Sequence, residues 1–156
     1  MNPMTSNAQA GQTKLAIPAL RPFYEWADDI SWLIIRLTAG LMLLPHGIPK
    51  LFEQGVAAFA AAGLSRRGIE PALPLAWLII FNETIGGLML AAGLLTRVVA
   101  ASIAIEMAVI AWVYVPKFGW TGPGYEYALM WGLVTFAIAL RGGGPYSLDR
   151  RLGWEI

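Results

Sequence analysis

Residues 72–115 read ALPLAWLIIFNETIGGLMLAAGLLTRVVAASIAIEMAVIAWVYV, and this stretch decides the fold. It holds two apolar segments, about Ala72–Leu95 and Val98–Val115. Each is near the roughly 17–25 residues that a helix needs to cross the hydrocarbon core of a bilayer. Only Thr96 and Arg97 separate them, which predicts a tight antiparallel hairpin. Outward from the hairpin, another apolar segment precedes it, about Ile30–Phe52, with Pro45 and Pro49 near its far end. A last one follows, about Tyr125–Leu140, short enough that a start near Trp120 stays open. The run Arg141–Pro145, RGGGP, stops it. The expected fold is therefore all-α: a polytopic membrane protein with four transmembrane helices in an antiparallel bundle.

Composition agrees with that expectation. The 156 residues are 57% hydrophobic and 13% charged, and the mean hydropathy is +0.58. A soluble domain carries about 25% charged residues. A net charge of +1 leaves no basic surface for nucleic acid, and the apolar content excludes a disordered chain. With no Cys and a single His, His46, the chain can supply no iron–sulfur cluster, thiolate metal site or bis-His haem. No metal is expected, and electrons, if they pass, must come from a diffusible carrier or a partner subunit.

Residues 1–22 read as a flexible polar tail without the apolar run of a cleavable signal peptide, so the first spanning helix is expected to be an uncleaved anchor. The membrane domain is expected over 23–149 and a short C-terminal tail over 150–156. RPFYEWADD, Arg21–Asp29, suits a collar at headgroup level, and Trp26, Trp32, Trp77, Trp112, Trp120 and Trp154 near helix ends suit interface belts. VAAFAAAGL, Val56–Leu64, is too short to span and reads as an interfacial or re-entrant helix between helices one and two. The loop Pro116–Gly124 falls on the same side. Lys14, Arg21, Arg97, Arg141, Arg150 and Arg151 on one side outnumber Lys50, Arg66, Arg67 and Lys117 on the other, which predicts cytoplasmic termini.

Ionisable groups inside the apolar segments are the candidate functional residues. One at mid-bilayer costs at least about 2.5 kcal/mol, so it should face protein and find a partner. Arg36 and Glu106 lie at similar depth from the inner helix ends and are expected to form a structural ion pair. His46, Glu83 and Glu126 are expected to converge nearer the outer face as proton donors and acceptors, with Lys50 and Tyr127 at the rim. Gly86 and Gly87, on the face of Glu83, are expected to leave room for a ring-shaped ligand. Intramembrane charges can also do no more than fix helix register. Ala101, Ala104, Ala108 and Ala111 form a small-residue stripe that hints at a homo-oligomer or partner subunit.

Four ordered stretches carry a family resemblance: RLTAGLMLLPHGIPKLF (Arg36–Phe52), ETIGGLMLAAGLLTR (Glu83–Arg97), GYEY (Gly124–Tyr127) and GPYSLD (Gly144–Asp149). Together they resemble the DoxX family of small four-helix membrane proteins, over about Ile30–Asp149. Pro45 and Pro49 vary around the family's HG-x-x-K-L pattern without removing its polar residues. The family looks related to the quinone-reactive small subunits of thiosulfate:quinone oxidoreductase. By position, the resemblance implies that its recurrent polar residues fall on Arg36, His46, Lys50, Glu83, Arg97, Glu126 and Tyr127; Glu106 lies outside the matched motifs. The function then expected is a quinone-interacting subunit of a membrane oxidoreductase complex, located in a bacterial inner membrane. A non-catalytic scaffold for a partner enzyme is the alternative. Transport of a small solute or proton is less favoured, since four helices leave little room for a pathway and no inverted repeat is visible.

Overall fold

The computed structural model describes residues 15–119 and 124–154, and among them every regular element is helical. Helix α1 (Arg21–Leu41) ends at a turn over Met42 and Leu43; α2 (Leu44–Pro49) then runs into a wider π-type turn at Lys50–Gln54. The short α3 (Val56–Phe59) continues through a second π-turn, Ala60–Leu64. Next come α4 (Ala72–Phe81), a third π-turn (Asn82–Gly86) and α5 (Gly87–Ala92), which together form one helical rod. Helices α6 (Thr96–Tyr114), α7 (Glu126–Arg141) and α8 (Leu148–Leu152) complete the chain.

Two units, Ala72–Ala92 and Thr96–Tyr114, are long and apolar enough to cross a membrane. Helix α1 is long, but it includes Arg21, Glu25, Asp28, Asp29 and Arg36, and α7 has only 16 residues. The sequence expectation for the first segment changes in two ways. The helix begins at Arg21, so the collar RPFYEWADD is its first turns rather than a flanking segment, and residues 21–22 of the expected tail are helical. The segment is also broken before Pro45 instead of continuing to Phe52: proline lacks an N–H and opens the preceding turn. The expected C-terminal tail begins inside α8. Residues 1–14 of the expected N-terminal tail, the belt residue Trp120 and the possible helix start there lie outside the described residues.

The α5–α6 connection shows why two long helices reverse within three residues. Leu94 N–H donates to the Met89 carbonyl and Gly93 N–H to that of Leu90, the paired bonds of a Schellman stop. Gly93 sits at φ 74°, the left-handed conformation this stop requires. Helices α1 and α5 cross at Gly40 and Gly87, where a Cβ on either residue would collide with the other's carbonyl oxygen. Helices α6 and α7 run antiparallel, with Arg97 at the start of one donating to the carbonyls of Ala139, Leu140 and Arg141 at the end of the other. Gly132 of α7 lies against the backbone of Ala104 and Ala108 on α6, while the Ala108 side chain stays exposed. The apolar core runs through Leu43, Leu90, Val99, Ile103, Met107, Trp131 and Ile138, with Trp32 at one end. Trp32 is buried, donates its indole N–H to the Gly142 carbonyl and carries the Arg141 guanidinium 4.4 Å above its ring. It is a packing residue rather than a belt residue, unlike the exposed Trp26, Trp77, Trp112 and Trp154.

Candidate functional site

Polar side chains gather in two regions. The first lies at the α5–α6 turn. Asp149 accepts from the backbone N–H groups of Leu95 and Thr96 at 2.7 and 2.8 Å, and from the Thr96 hydroxyl at 2.7 Å. These are donors that the first turn of α6 would otherwise leave orphaned, so Asp149 acts as an N-cap supplied from the far end of the chain. Its own N–H returns to the Gly93 carbonyl at 2.9 Å, and Ser147 caps α8 through Arg150 N–H.

Arg36 belongs to this region. It is 1% exposed, donates to the Tyr146 carbonyl at 2.8 Å and feels the charge of Asp149. A Cβ on Gly93 would strike its guanidinium, so the glycine also clears space for the arginine. The expected Arg36–Glu106 ion pair does not form. The chain between Gly142 and Asp149 folds back beneath α1 and supplies Arg36 with a carbonyl and a counter-charge of its own.

The second region is built on the π-turn at Asn82–Gly86. Such a turn widens the helix and re-aims its side chains, and π-turns inside α-helices recur at functional sites. Here it presents Glu83 towards α2 and Asn82 towards α6. Lys50 Nζ lies 2.5 Å from both carboxylate oxygens of Glu83. Gly47 allows the approach, since a Cβ there would collide with Glu83 and Thr84. Lys50 also sits 5.1 Å above the ring of Phe59, a cation–π contact from α3. Far from being a rim residue, Lys50 is the direct partner of Glu83.

His46 lies one turn before Lys50, with its Nε2 3.5 Å from the Tyr127 hydroxyl and within electrostatic reach of Glu83. Tyr127 in turn stacks on Trp131 at 5.6 Å between centroids. His46 and Tyr127 are exposed, Lys50 is partly buried and Glu83 is 3% exposed. The cluster thus grades from an outward-facing rim to a buried acid.

The remaining expected site residues fall elsewhere. Glu126 is buried at the start of α7, and among the described residues neither carboxylate oxygen is hydrogen-bonded and no hydrogen bond joins it to His46 or Glu83. Gly86 faces Val99 and the Phe81 carbonyl, and Gly87 is filled by the α1 crossing, so the two glycines admit a neighbouring helix instead of a ring. Glu106 accepts from the Asn82 side-chain amide at 2.9 Å, while Ser102 donates to the other end of that amide at 3.0 Å. Asn82, Ser102 and Asp149 were not singled out from the sequence as site residues. The signal was present for two of them, since Ser102 precedes Glu106 by one helical turn and Asn82 interrupts an apolar run. Among the described residues no group of His, Asp and Glu side chains could hold a metal ion.

No curated protein and no solved structure matches the chain. The sequence model of the DoxX family matches residues 31–116, more than half of the chain, covering Arg36, His46, Lys50, Glu83 and Glu106 but not Glu126, Tyr127 or Asp149. On that match the chain belongs to the DoxX family.

Proposed function

We propose that the chain is a membrane protein of four spanning helical units, and that the cluster around Glu83 takes up a quinone as part of a membrane oxidoreductase complex. Support for the spans comes from what faces outward: Ile34, Ile35 and Leu41 on α1, and Leu133, Phe136 and Leu140 on α7, are exposed while Arg36 is buried. The Lys/Arg bias puts both termini on the cytoplasmic side of a bacterial inner membrane.

The observation that carries the quinone reading is the Lys50–Glu83 pair set behind His46 and Tyr127. Reducing a quinone to a quinol adds two electrons and two protons. No redox centre is expected in this chain, so the electrons would come from a partner redox subunit. A quinone fits the outward rim of the cluster rather than the bundle interior, because Gly86 and Gly87 are already filled. His46 and Tyr127 can hydrogen-bond a carbonyl there. The Lys50 ammonium can stabilise negative charge developing on that oxygen, and Glu83 can hold or pass a proton behind it.

One observation favours a second reading, a non-catalytic scaffold or assembly subunit. Lys50 engages both oxygens of Glu83, as a purely structural pair would. Purified wild type, His46→Ala and Glu83→Gln separate the two. Expected for a quinone site is folded, purifiable protein with binding of a short-chain quinone weakened about tenfold or more, equivalent to about 1.4 kcal/mol. Variants that lose stability while the surviving protein binds quinone normally would establish the scaffold.

A further inference from the structure

Glu106 is the buried acid that the quinone cluster does not use. It sits in the middle of α6 at 8% exposure, and among the described residues its only hydrogen bond is the one from Asn82 to Oε2, while Oε1 has no partner. Among the described residues no cation is bonded to it: Arg36 is held at the α5–α6 turn and Lys50 is engaged by Glu83. Of the charges acting on it, that of Glu83 outweighs that of Lys50. Other titratable groups on the elements around it are His46 on α2, and Glu126, Tyr127 and Arg141 at the two ends of α7; α5 has none.

In the structure Ser102 donates to the Asn82 side-chain oxygen, and the Asn82 amide turns its N–H towards Glu106. Oε2 is therefore an acceptor, and Oε1 is the atom left to carry a proton. An ionised carboxylate here would face a second carboxylate across low-dielectric packing with one hydrogen bond to stabilise it. A neutral acid would leave only one weakly polar O–H without a partner.

We propose that Glu106 is a protonated carboxylic acid in the folded protein at neutral pH, so that Glu106 and Glu83 together hold one proton. Any use of that proton rests on the quinone reading. There, the Glu106 O–H bond would break as the Glu83 carboxylate accepts the proton, refilling the cluster after it has protonated a reduced quinone. The protonation itself is independent of quinone.

Infrared difference spectroscopy on the purified full-length protein tests it without any ligand. Wild type minus Glu106→Gln at neutral pH is expected to show the C=O stretch of a protonated carboxyl, which lies above the amide bands. Glu83→Gln is expected to keep that band, and Ser102→Ala to shift its frequency by freeing the Asn82 amide. Glu106→Gln retains an acceptor for Asn82, so its unfolding midpoint should stay near that of wild type. A difference spectrum with no carboxyl band overturns the proposal. If Glu106→Gln does not fold, an unshifted carboxyl region in Ser102→Ala does so instead. A band that is present while quinone fails to bind would leave Glu106 protonated and remove only its role in quinone chemistry.

Discussion

The two polar regions are built from different materials. At the α5–α6 turn, Asp149 is satisfied mostly by backbone: two N–H donors at the start of α6, joined by one hydroxyl from the same turn. Around Glu83 the contacts are between side chains: Lys50, on the turn after α2, bonds Glu83, and Tyr127 on α7 meets His46 on α2. Backbone donors cannot leave without unfolding a helix end, whereas side-chain partners can rotate away. The first region therefore fixes the connection of the helices, and the second keeps groups that a ligand or proton can re-pair. Leftover valences follow the same division in part. Asp149 has three donors, while among the described residues Glu106, behind the π-turn, keeps one carboxylate oxygen without a partner. Arg36 is the exception in the first region, with Nε and Nη1 unpaired, and the charge of Asp149 stands in for the missing bonds.

Removing Asp149 should have the largest effect of any single change. Asp149→Ala would orphan two N–H groups at the start of α6, free the Thr96 hydroxyl and leave Arg36 buried without a counter-charge. The expected loss is roughly 3–5 kcal/mol, the scale for breaking one side of a buried pair. Equilibrium unfolding in mixed micelles measures it. A loss below that of Lys50→Met would reverse the assignment of the two regions.

Next in size is the helix crossing that separates the regions. Gly40 and Gly87 let α1 and α5 touch through their backbones, and a larger residue at either position must push the rods apart. Gly87→Val is expected to destabilise by about 1–3 kcal/mol, the usual range for overpacking. It should also loosen Lys50 from Glu83, because α2 follows α1 on the same face. Normal stability in this variant would mean that the crossing can slide without consequence.

The helices were legible in the sequence and their polar partners were not. Apolar length placed Ala72–Ala92, Thr96–Tyr114 and Glu126–Arg141 to within a few residues, since burial in lipid or core rewards an apolar run wherever it falls. Depth along a helix also grouped Lys50, His46, Glu83 and Tyr127 at one end, but with them Glu126, which makes no hydrogen bond to the others among the described residues. Depth failed for Arg36 because it compares side chains with side chains. The actual acceptor is the Tyr146 carbonyl, and a carbonyl in a returning loop leaves no mark in the residue types. It failed for Gly86 and Gly87 for a related reason: a glycine that makes room for a ligand and one that makes room for a helix look the same until the neighbour is known. The π-turn at Asn82–Gly86 was equally silent, yet it aims Asn82 and Glu83 at different helices.

A smaller effect sharpens the picture of the outer cluster. Lys50 and Glu83 should be coupled, with a double-mutant cycle of Lys50→Met and Glu83→Gln giving about 1 kcal/mol or more. The side-chain nature of the contact predicts that much of the damage from Lys50→Met is recovered by adding Glu83→Gln, which removes the stranded charge. Additive losses would show that the two residues act separately and would weaken the case for a re-pairable cluster.

The smallest expected effect is the one that most directly tests the separation of the regions. Arg36→Met and Glu106→Gln should show coupling no greater than about 0.5 kcal/mol, the level found for sites that share no partner. Arg36→Met alone should be costly, because it strands the Tyr146 carbonyl and takes the counter-charge from Asp149. Glu106→Gln alone should be mild, because it replaces one neutral acceptor of the Asn82 amide by another. Two residues at similar depth in one bundle would pair if charge alone governed them. They do not pair because Arg36 is turned towards the chain's own returning end and Glu106 towards the π-turn. Coupling well above that level would show that a charged Glu106 reaches Arg36, and it would count against both the separation of the two regions and the proton on Glu106.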